Sequence, residues 1–237
     1  MRAVETFCNC GGTHEGPNGP SRRTFLCTGL AGLAAARLGG PSPARAQSTF
    51  TPDVALKALL DGNKRFVDHK LTLFDEDLAI LKQNAVAKQE PFAAVLSCAD
   101  SRVPVELVFD QSIGHIFVTR VAGNLASPEI IASLEYGAAV LGTKVILVLG
   151  HANCGAVKAA LEGKSVPGQI SALYAALRPA VDASGGDLEA AIKANAKIQA
   201  HLLATASPVL AGLVKQGQVK VVAGFYALDT GNVTLLD

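Results

Sequence analysis

Pro91–Val103 reads P-F-A-A-V-L-S-C-A-D-S-R-V, and its first half decides the fold. Phe92 to Leu96 is a continuous apolar run, long enough for a buried parallel strand and too short for a helix. It ends in Cys98, Asp100 and Arg102: a soft ligand, a carboxylate and a guanidinium at alternate positions. A second apolar run, Lys144–Gly150 (K-V-I-L-V-L-G), ends in His151-Ala-Asn-Cys154. Two buried strands that release polar side chains at their C-terminal ends define the crevice where open α/β sheets bind ligands. Either fragment alone is a weak signal, because buried cysteines usually act as inert small hydrophobes. Together, Cys98, His151 and Cys154 form the thiolate-and-imidazole set that suits zinc. Three protein ligands also leave a fourth position open for chemistry.

Working outward, the elements alternate in the βαβ manner from Thr51 onward. Thr51-Pro52-Asp53 reads as N-cap, N1 and N2 of a helix that keeps its apolar period through Leu56, Leu59, Leu60, Asn63, Phe66 and Val67. Asp75–Lys88 is a second amphipathic segment. Val105–Phe109 fits a short helix and Ile116–Val121 a strand. Ser127-Pro128-Glu129 starts a helix that runs to Gly142, with Ile131, Leu134 and Ala138 towards the sheet. Cys154 opens a helix to about Glu162. Val166–Ala176 and Asp187–Ala206 read as two more, separated by Ser184-Gly185-Gly186. Val219–Ala227 is a strand, and the turn Asp229–Asn232 leads into Val233–Leu236, an antiparallel addition to a parallel core. The fold class is α/β: a mainly parallel sheet flanked by helices, with an N-terminal helical arm.

At the metal-ligating residues the chain resembles the β-class carbonic anhydrases. C-A-D-S-R-V (Cys98–Val103) is similar to that family's C-x-D-x-R motif, and H-A-N-C-G-A-V (His151–Val157) to its H-x-x-C-G motif. R-V-A-G-N (Arg120–Asn124), S-L-E-Y-G (Ser133–Gly137) and V-I-L-V-L-G-H extend the likeness, which runs from about Thr51 to Leu236. It implies one zinc per chain on Cys98, His151 and Cys154, and reversible hydration of carbon dioxide to bicarbonate and a proton, with zinc-bound hydroxide as nucleophile. It gives Asp100 and Arg102 the catalytic roles. The carboxylate is paired with the arginine in an open form and bound to zinc in a closed one. It also implies first helices that reach across to a neighbouring subunit, and so a homodimer or a dimer of dimers. Hydrolysis of carbon disulfide or carbonyl sulfide on the same fold is an alternative, as is a non-catalytic dithiol protein in which Cys98 and Cys154 cycle with a disulfide.

Two departures from the family stand out. Plant-like members carry a substrate-binding glutamine where this chain has Ser112, with Gln111 one residue earlier. Members regulated by bicarbonate use a tryptophan, an arginine and a tyrosine; Arg120 and Tyr226 match, but Val95 stands where the tryptophan would be. That bicarbonate pocket is therefore not expected. His69, His115 and His201 are isolated, and the sequence does not single one out as a proton relay.

Residues 1–46 read as a leader rather than as part of the fold. Ser21-Arg22-Arg23-Thr24-Phe25-Leu26 resembles a twin-arginine export signal, and an Ala/Gly/Leu-rich segment from Leu26 to Leu38 follows, too short to span a bilayer stably. Ala44-x-Ala46 then fits cleavage before Gln47. Cys8, Cys10 and Cys27 fall inside this leader, so the mature chain, residues 47–237, keeps only Cys98 and Cys154 and has no disulfide framework. The expected location is periplasmic or secreted. Five of the 21 basic and two of the 20 acidic residues precede Gln47, which leaves 16 and 18 and a formal charge of −2. Such a balance points to neither nucleic acid nor an anionic membrane surface, and Trp is absent as a stacking platform.

Overall fold

The computed structural model describes residues 48–72 and 89–237, all within the compact unit Pro43–Asp237. The leader reading and the Asp75–Lys88 helix lie outside the described residues. Helix α1 is Pro52–Val67, and strand β1 is Ala93–Ser97. A short α2 (Val105–Val108) leads to β2 (Ile116–Arg120). Then come α3 (Pro128–Glu135), which passes into a π turn at Tyr136–Val140, and β3 (Val145–His151). Helices α4 (Gly155–Glu162), α5 (Ala172–Asp182), α6 (Leu188–Ala206) and α7 (Pro208–Lys215) precede β4 (Lys220–Tyr226) and β5 (Val233–Leu236). Among the described residues, no helix is long and apolar enough to cross a membrane.

The sheet order is β2-β1-β3-β4-β5; the first four strands are parallel and β5 is antiparallel to β4. Side chains alternate across it. Ala93, Val95, Val145, Leu147 and Leu149 pack with α1 and α2, whereas Ala94, Leu96, Ile146 and Val148 pack with Leu134, Ala196, Leu203 and Leu210 of α3, α6 and α7. Both faces are covered, which is why β1 and β3 read as unbroken apolar runs rather than alternating ones. From β1 the chain leaves towards β2; from β3 it leaves towards β4, on the other side. The C-terminal ends of β1 and β3 therefore flank a topological switch point, the place where open sheets bind ligands.

Helix starts follow the sequence signals. Thr51 Oγ1 accepts from the Val54 N–H at 3.3 Å, and Asp187 Oδ1 from the Ala190 N–H at 2.6 Å, each satisfying an otherwise orphaned donor. Two readings need correction. The helix expected over Val166–Ala176 lies instead at Ala172–Asp182. Pro167-Gly168 forms a turn with Gly168 at φ +62°, which stops any helix there. At the other end the helix continues through Pro179, because Leu177 and Ala180 on its inner face are buried. Helix α7 was not anticipated. Its signal was present, Ser207-Pro208 repeating the pattern of Thr51-Pro52, and Ser207 Oγ caps the Leu210 N–H at 3.0 Å.

Helix α1 is locked onto the loop before β2. Asn63 Nδ2 donates to the carbonyls of Val108 and Gly231, and its Oδ1 accepts from the Val233 N–H at 2.8 Å. Buried Asp110 is held by Arg65 and by the backbone N–H and hydroxyl of Thr72. The approach is so close that a Cβ at Gly62 would stand 1.8 Å from the Phe109 carbonyl oxygen. Gly62→Ala should therefore lower stability by about 3 kcal/mol, the scale of a forced overpacking, in urea unfolding. An unchanged midpoint would show that α1 can lift off without loss.

Candidate metal centre

Three side chains converge at the switch point. Cys98 follows β1 directly, His151 is the last residue of β3, and Cys154 is the N-cap of α4. The register pairs Ser97 with Leu149, so the residues that follow emerge side by side. Left-handed Asn153, at φ +52°, turns the chain back so that Cys154 returns towards His151. The ligand atoms of Cys98, His151 and Cys154 all lie within 4.8 Å of one another, and all three residues are buried. The two sulfurs are 3.9 Å apart and both cysteines are free thiols.

Local polar groups prepare these side chains for a cation. His151 Nδ1 lies 2.9 Å from the Ala152 carbonyl oxygen, which takes its N–H and leaves Nε2 as the lone-pair nitrogen. That Nε2 is fully buried and has no hydrogen-bond partner, a costly condition for an imidazole nitrogen unless a ligand fills it. The Gly123 N–H donates to Cys98 Sγ at 3.3 Å. A hydrogen bond with Cys154, aided by His151 and by the Gly123 and Asp100 N–H groups, pulls the Cys98 thiol down to about 4 against the effect of burial. The same hydrogen bond between the two sulfurs, together with burial, pushes Cys154 up. Two soft sulfurs and one imidazole, its tautomer fixed and its Nε2 lone pair buried without a hydrogen-bond partner, fit zinc.

Asp100 and Arg102 form the expected pair beside this group. Arg102 Nε donates to Asp100 Oδ1 at 2.9 Å and Nη2 to Oδ2 at 2.8 Å, a bidentate arrangement. Arg102 also donates to the Asn153 carbonyl at 3.3 Å, tying the two ligand segments together. These bonds hold the Asp100 carboxyl well below the usual carboxylate range. Asp100 Oδ2 stands 3.9 Å from His151 Nε2, so the carboxylate lies at the rim of the ligand group while engaged by the arginine.

The remaining candidates sit elsewhere. Gln111 turns back to donate to the Phe109 carbonyl at 3.0 Å, and both it and Ser112 are buried. Val95 is in the core. Arg120 gives Nε to the Cys98 carbonyl at 2.9 Å and Nη2 to the Asp100 carbonyl, so it clamps the ligand loop. Tyr226 is buried, and burial pushes its phenol up. His69, His115 and His201 do not join the ligand group. Sequence reasoning missed Gly123 and Ala152, which act through backbone atoms. The available signal for Gly123 was a glycine in Arg120–Asn124 that adopts φ +78°.

Replacing Cys98 or Cys154 with Ala removes one of three anchors, so each variant should purify with far less than one zinc per chain while retaining its fold. Metal analysis beside circular dichroism checks this. Full zinc in folded Cys154→Ala would exclude the site.

The family model for carbonic anhydrase matches residues 93–233. Carbonic anhydrase 2 of Mycobacterium tuberculosis is 33% identical over 198 residues, covering 78% of this chain and 93% of that protein. The carbonic anhydrase of Mycolicibacterium smegmatis is 39% identical over 134 residues, 55% of this chain and 65% of that one. Among solved structures, the Coccomyxa β-carbonic anhydrase in complex with acetazolamide superposes with a TM-score of 0.60 at 28% identity, over 76% of this chain and 86% of that one. A tetrameric β-carbonic anhydrase of Sordaria macrospora shares the fold at 21% identity, with a TM-score of 0.62 over 76% of this chain and 96% of that one. With its ligand group, its sheet order and these likenesses taken together, the chain belongs to the carbonic anhydrase family, in its β class.

Proposed function

We propose that the protein hydrates carbon dioxide reversibly, yielding bicarbonate and a proton, with one zinc held by Cys98, His151 and Cys154. The observation that carries this reading is the buried convergence of those three ligand atoms within 4.8 Å, rimmed by an arginine-held carboxylate. Zinc, when bound, makes hydroxide available near neutral pH. The chain's own residues then set the geometry. An ionised carboxylate can only accept hydrogen bonds. Asp100 would therefore accept a hydrogen bond from the attacking hydroxyl, without taking its proton, and leave a lone pair free to face carbon dioxide. Arg102 donates to both carboxylate oxygens and so keeps Asp100 charged and held at the rim of the ligand group. The Ala152 carbonyl keeps the proton of His151 on Nδ1, so Nε2 remains the ligand.

This assignment fixes the pH behaviour. Asp100 has its pKa depressed in the folded state, so its contribution to stability is present above the ordinary carboxylate value of about 4 and is lost only as pH falls below that. It does not titrate in the neutral range. The rate should instead climb gradually with pH through the neutral-to-alkaline range, as one proton leaves the nucleophile's precursor. Stopped-flow hydration with metal analysis on the same sample is the test. Asp100→Asn should keep its zinc while kcat falls at least about tenfold, the lower scale for losing a partner that orients a metal site's reacting group. A steep, multi-proton loss on the acid side, or a fully active Asp100→Asn, would overturn the carboxylate's role. Turnover of carbonyl sulfide or carbon disulfide with no carbon dioxide hydration would overturn the substrate.

The assembly we propose is at least a dimer. Apolar side chains support it: Phe50 and Val54 at the start of α1, and Tyr136 and Val140 on the π turn beside edge strand β2, are all exposed. Phe117 of β2 lies near Tyr136, with ring centroids 6.3 Å apart and the rings tilted, so this apolar surface adjoins the edge strand of the sheet formed by the described residues. Exposed edges and apolar patches of this kind are normally covered. Light scattering should give a mass of two chains or more; a fully active monomer would refute it.

The twin-arginine reading belongs to the same proposal, because it has a chemical rationale. A route that carries folded proteins would let zinc occupy Cys98 and Cys154 before an oxidising compartment could pair them. Replacing Arg22 and Arg23 together with Lys should trap the protein inside the cell with its leader uncleaved, as read by fractionation and N-terminal sequencing. Normal export starting at Gln47 in that variant would remove the twin-arginine assignment.

A further inference from the structure

The metal ligand Cys98 receives the Gly123 N–H at 3.3 Å, and the origin of that donor's position lies in helix α6. Gly123 is in the left-handed region at φ +78°, and Asn124 beside it at +46°. Two consecutive left-handed residues make a conformation that the loop does not favour by itself. It is fastened from behind. Asn195, fully buried on α6, donates Nδ2 to the Gly123 carbonyl at 2.8 Å. Gln199, one turn further and also buried, donates Nε2 to Asn195 Oδ1 at 3.2 Å and accepts the Ala126 N–H on Oε1 at 2.9 Å. The glycine is thus gripped through both flanking peptide groups: one gives its N–H to the thiolate, the other gives its oxygen to Asn195.

We infer that Asn195 and Gln199 are positioning residues of the metal centre, which tune the electron donation of Cys98 by aiming the Gly123 N–H at its sulfur. The inference rests on the zinc reading above. Two buried amides on the helix face that also carries Ala191, Ile192, Ala196, Ala200 and Leu203 would be an expensive choice for packing alone. Their bonds form one chain, Gln199 to Asn195 to the Gly123 peptide groups to Cys98, with the Ala126 N–H closing the loop at its far end. A hydrogen bond onto a ligating sulfur draws charge from it, so less reaches the metal. Two thiolates otherwise cancel the formal charge of a divalent ion and blunt its power to acidify water. Losing the bond makes Cys98 a stronger donor and the metal a weaker acid.

The test uses the purified full-length protein with Co²⁺ in place of zinc, because the thiolate-to-cobalt charge-transfer band reports sulfur donation without any turnover. In Asn195→Ala the band should move to longer wavelength, and the zinc enzyme's kcat should fall roughly tenfold, the lower scale for an outer partner of a metal ligand. Gln199→Leu should shift the band in the same direction by a smaller amount. Leu203→Ala, a core truncation on the same helix, is the control; at a comparable loss of thermal stability its band should stay in place. A wild-type band in Asn195→Ala, or an equal shift in Leu203→Ala, overturns the inference. If Asn195→Ala fails to fold, an unshifted band in Gln199→Leu does the same. A wild-type protein that takes up Co²⁺ without any thiolate band would remove the metal reading itself, and with it this inference.

Discussion

The parallel pairing of β1 with β3 in one fixed register is the constraint on which the site depends. Ser97 faces Leu149, so each strand releases its next residues at the same level of the sheet. A slip by one residue would displace Cys98 along the sheet relative to His151 and turn the slipped strand's side chains to the other face. The register is held by burial on both faces: Val95 and Leu147 point to the α1 side, Leu96 and Val148 to the α6 side. Any slip exchanges these two sets between unlike surroundings. The unbroken apolar runs that make the strands recognisable are thus also what places the thiol and the imidazole together.

The contact between the two sulfurs lowers the Cys98 thiol and raises that of Cys154. A metal is held by thiolates, so its uptake releases the protons that the pair still carries and is linked to pH. Asp100 could in principle join the ligand group, since it stands 3.9 Å from His151 Nε2. Arg102 competes for it with two direct donors, and a third bond from Arg102 to the Asn153 carbonyl fixes the arginine. Meanwhile Arg120 grips the carbonyls of Cys98 and Asp100, so the loop between them cannot easily rotate the carboxylate inwards.

Much of this was legible in the chain itself. The two strand ends, the three grouped ligand residues, the Asp–Arg pair, the cap at Thr51 and the helix starts at Ser127 and Asp187 all announce themselves through period, composition and local spacing. What escaped was decided by tertiary packing. Helix α5 was placed too early because its apolar period continues back through Val166, while the Pro167-Gly168 turn overrides it. The π turn at Tyr136–Val140 adds a residue per turn without changing the apolar pattern, so periodicity cannot show it. Contributions from backbone atoms, such as the Ala152 carbonyl and the Gly123 N–H, carry no side-chain signature at all. Asn195 and Gln199 did leave one, two amides four residues apart on an otherwise apolar helix face. A polar pair there reads equally well as an exposed face until burial is known.

Arg120 shows how one residue type can serve a different end when its neighbours change. In relatives with a bicarbonate pocket, the resemblance pairs this arginine with a tryptophan and a tyrosine. Here Val95 is embedded in the core between β2 and β3, and Tyr226 is buried beside His151 in the register of β3 and β4. Arg120 spends Nε and one Nη2 donor on the ligand loop. An anion bound to those donors would have to displace the carbonyls of Cys98 and Asp100, leaving the partly buried Cys98 carbonyl unpaired at a cost of about 1–3 kcal/mol. With no tryptophan to help offset that loss, the arginine is better used as a fixed brace. The residue that resembles a regulatory ligand in the sequence is, in the structure, part of what holds Cys98 and Asp100 in their working positions.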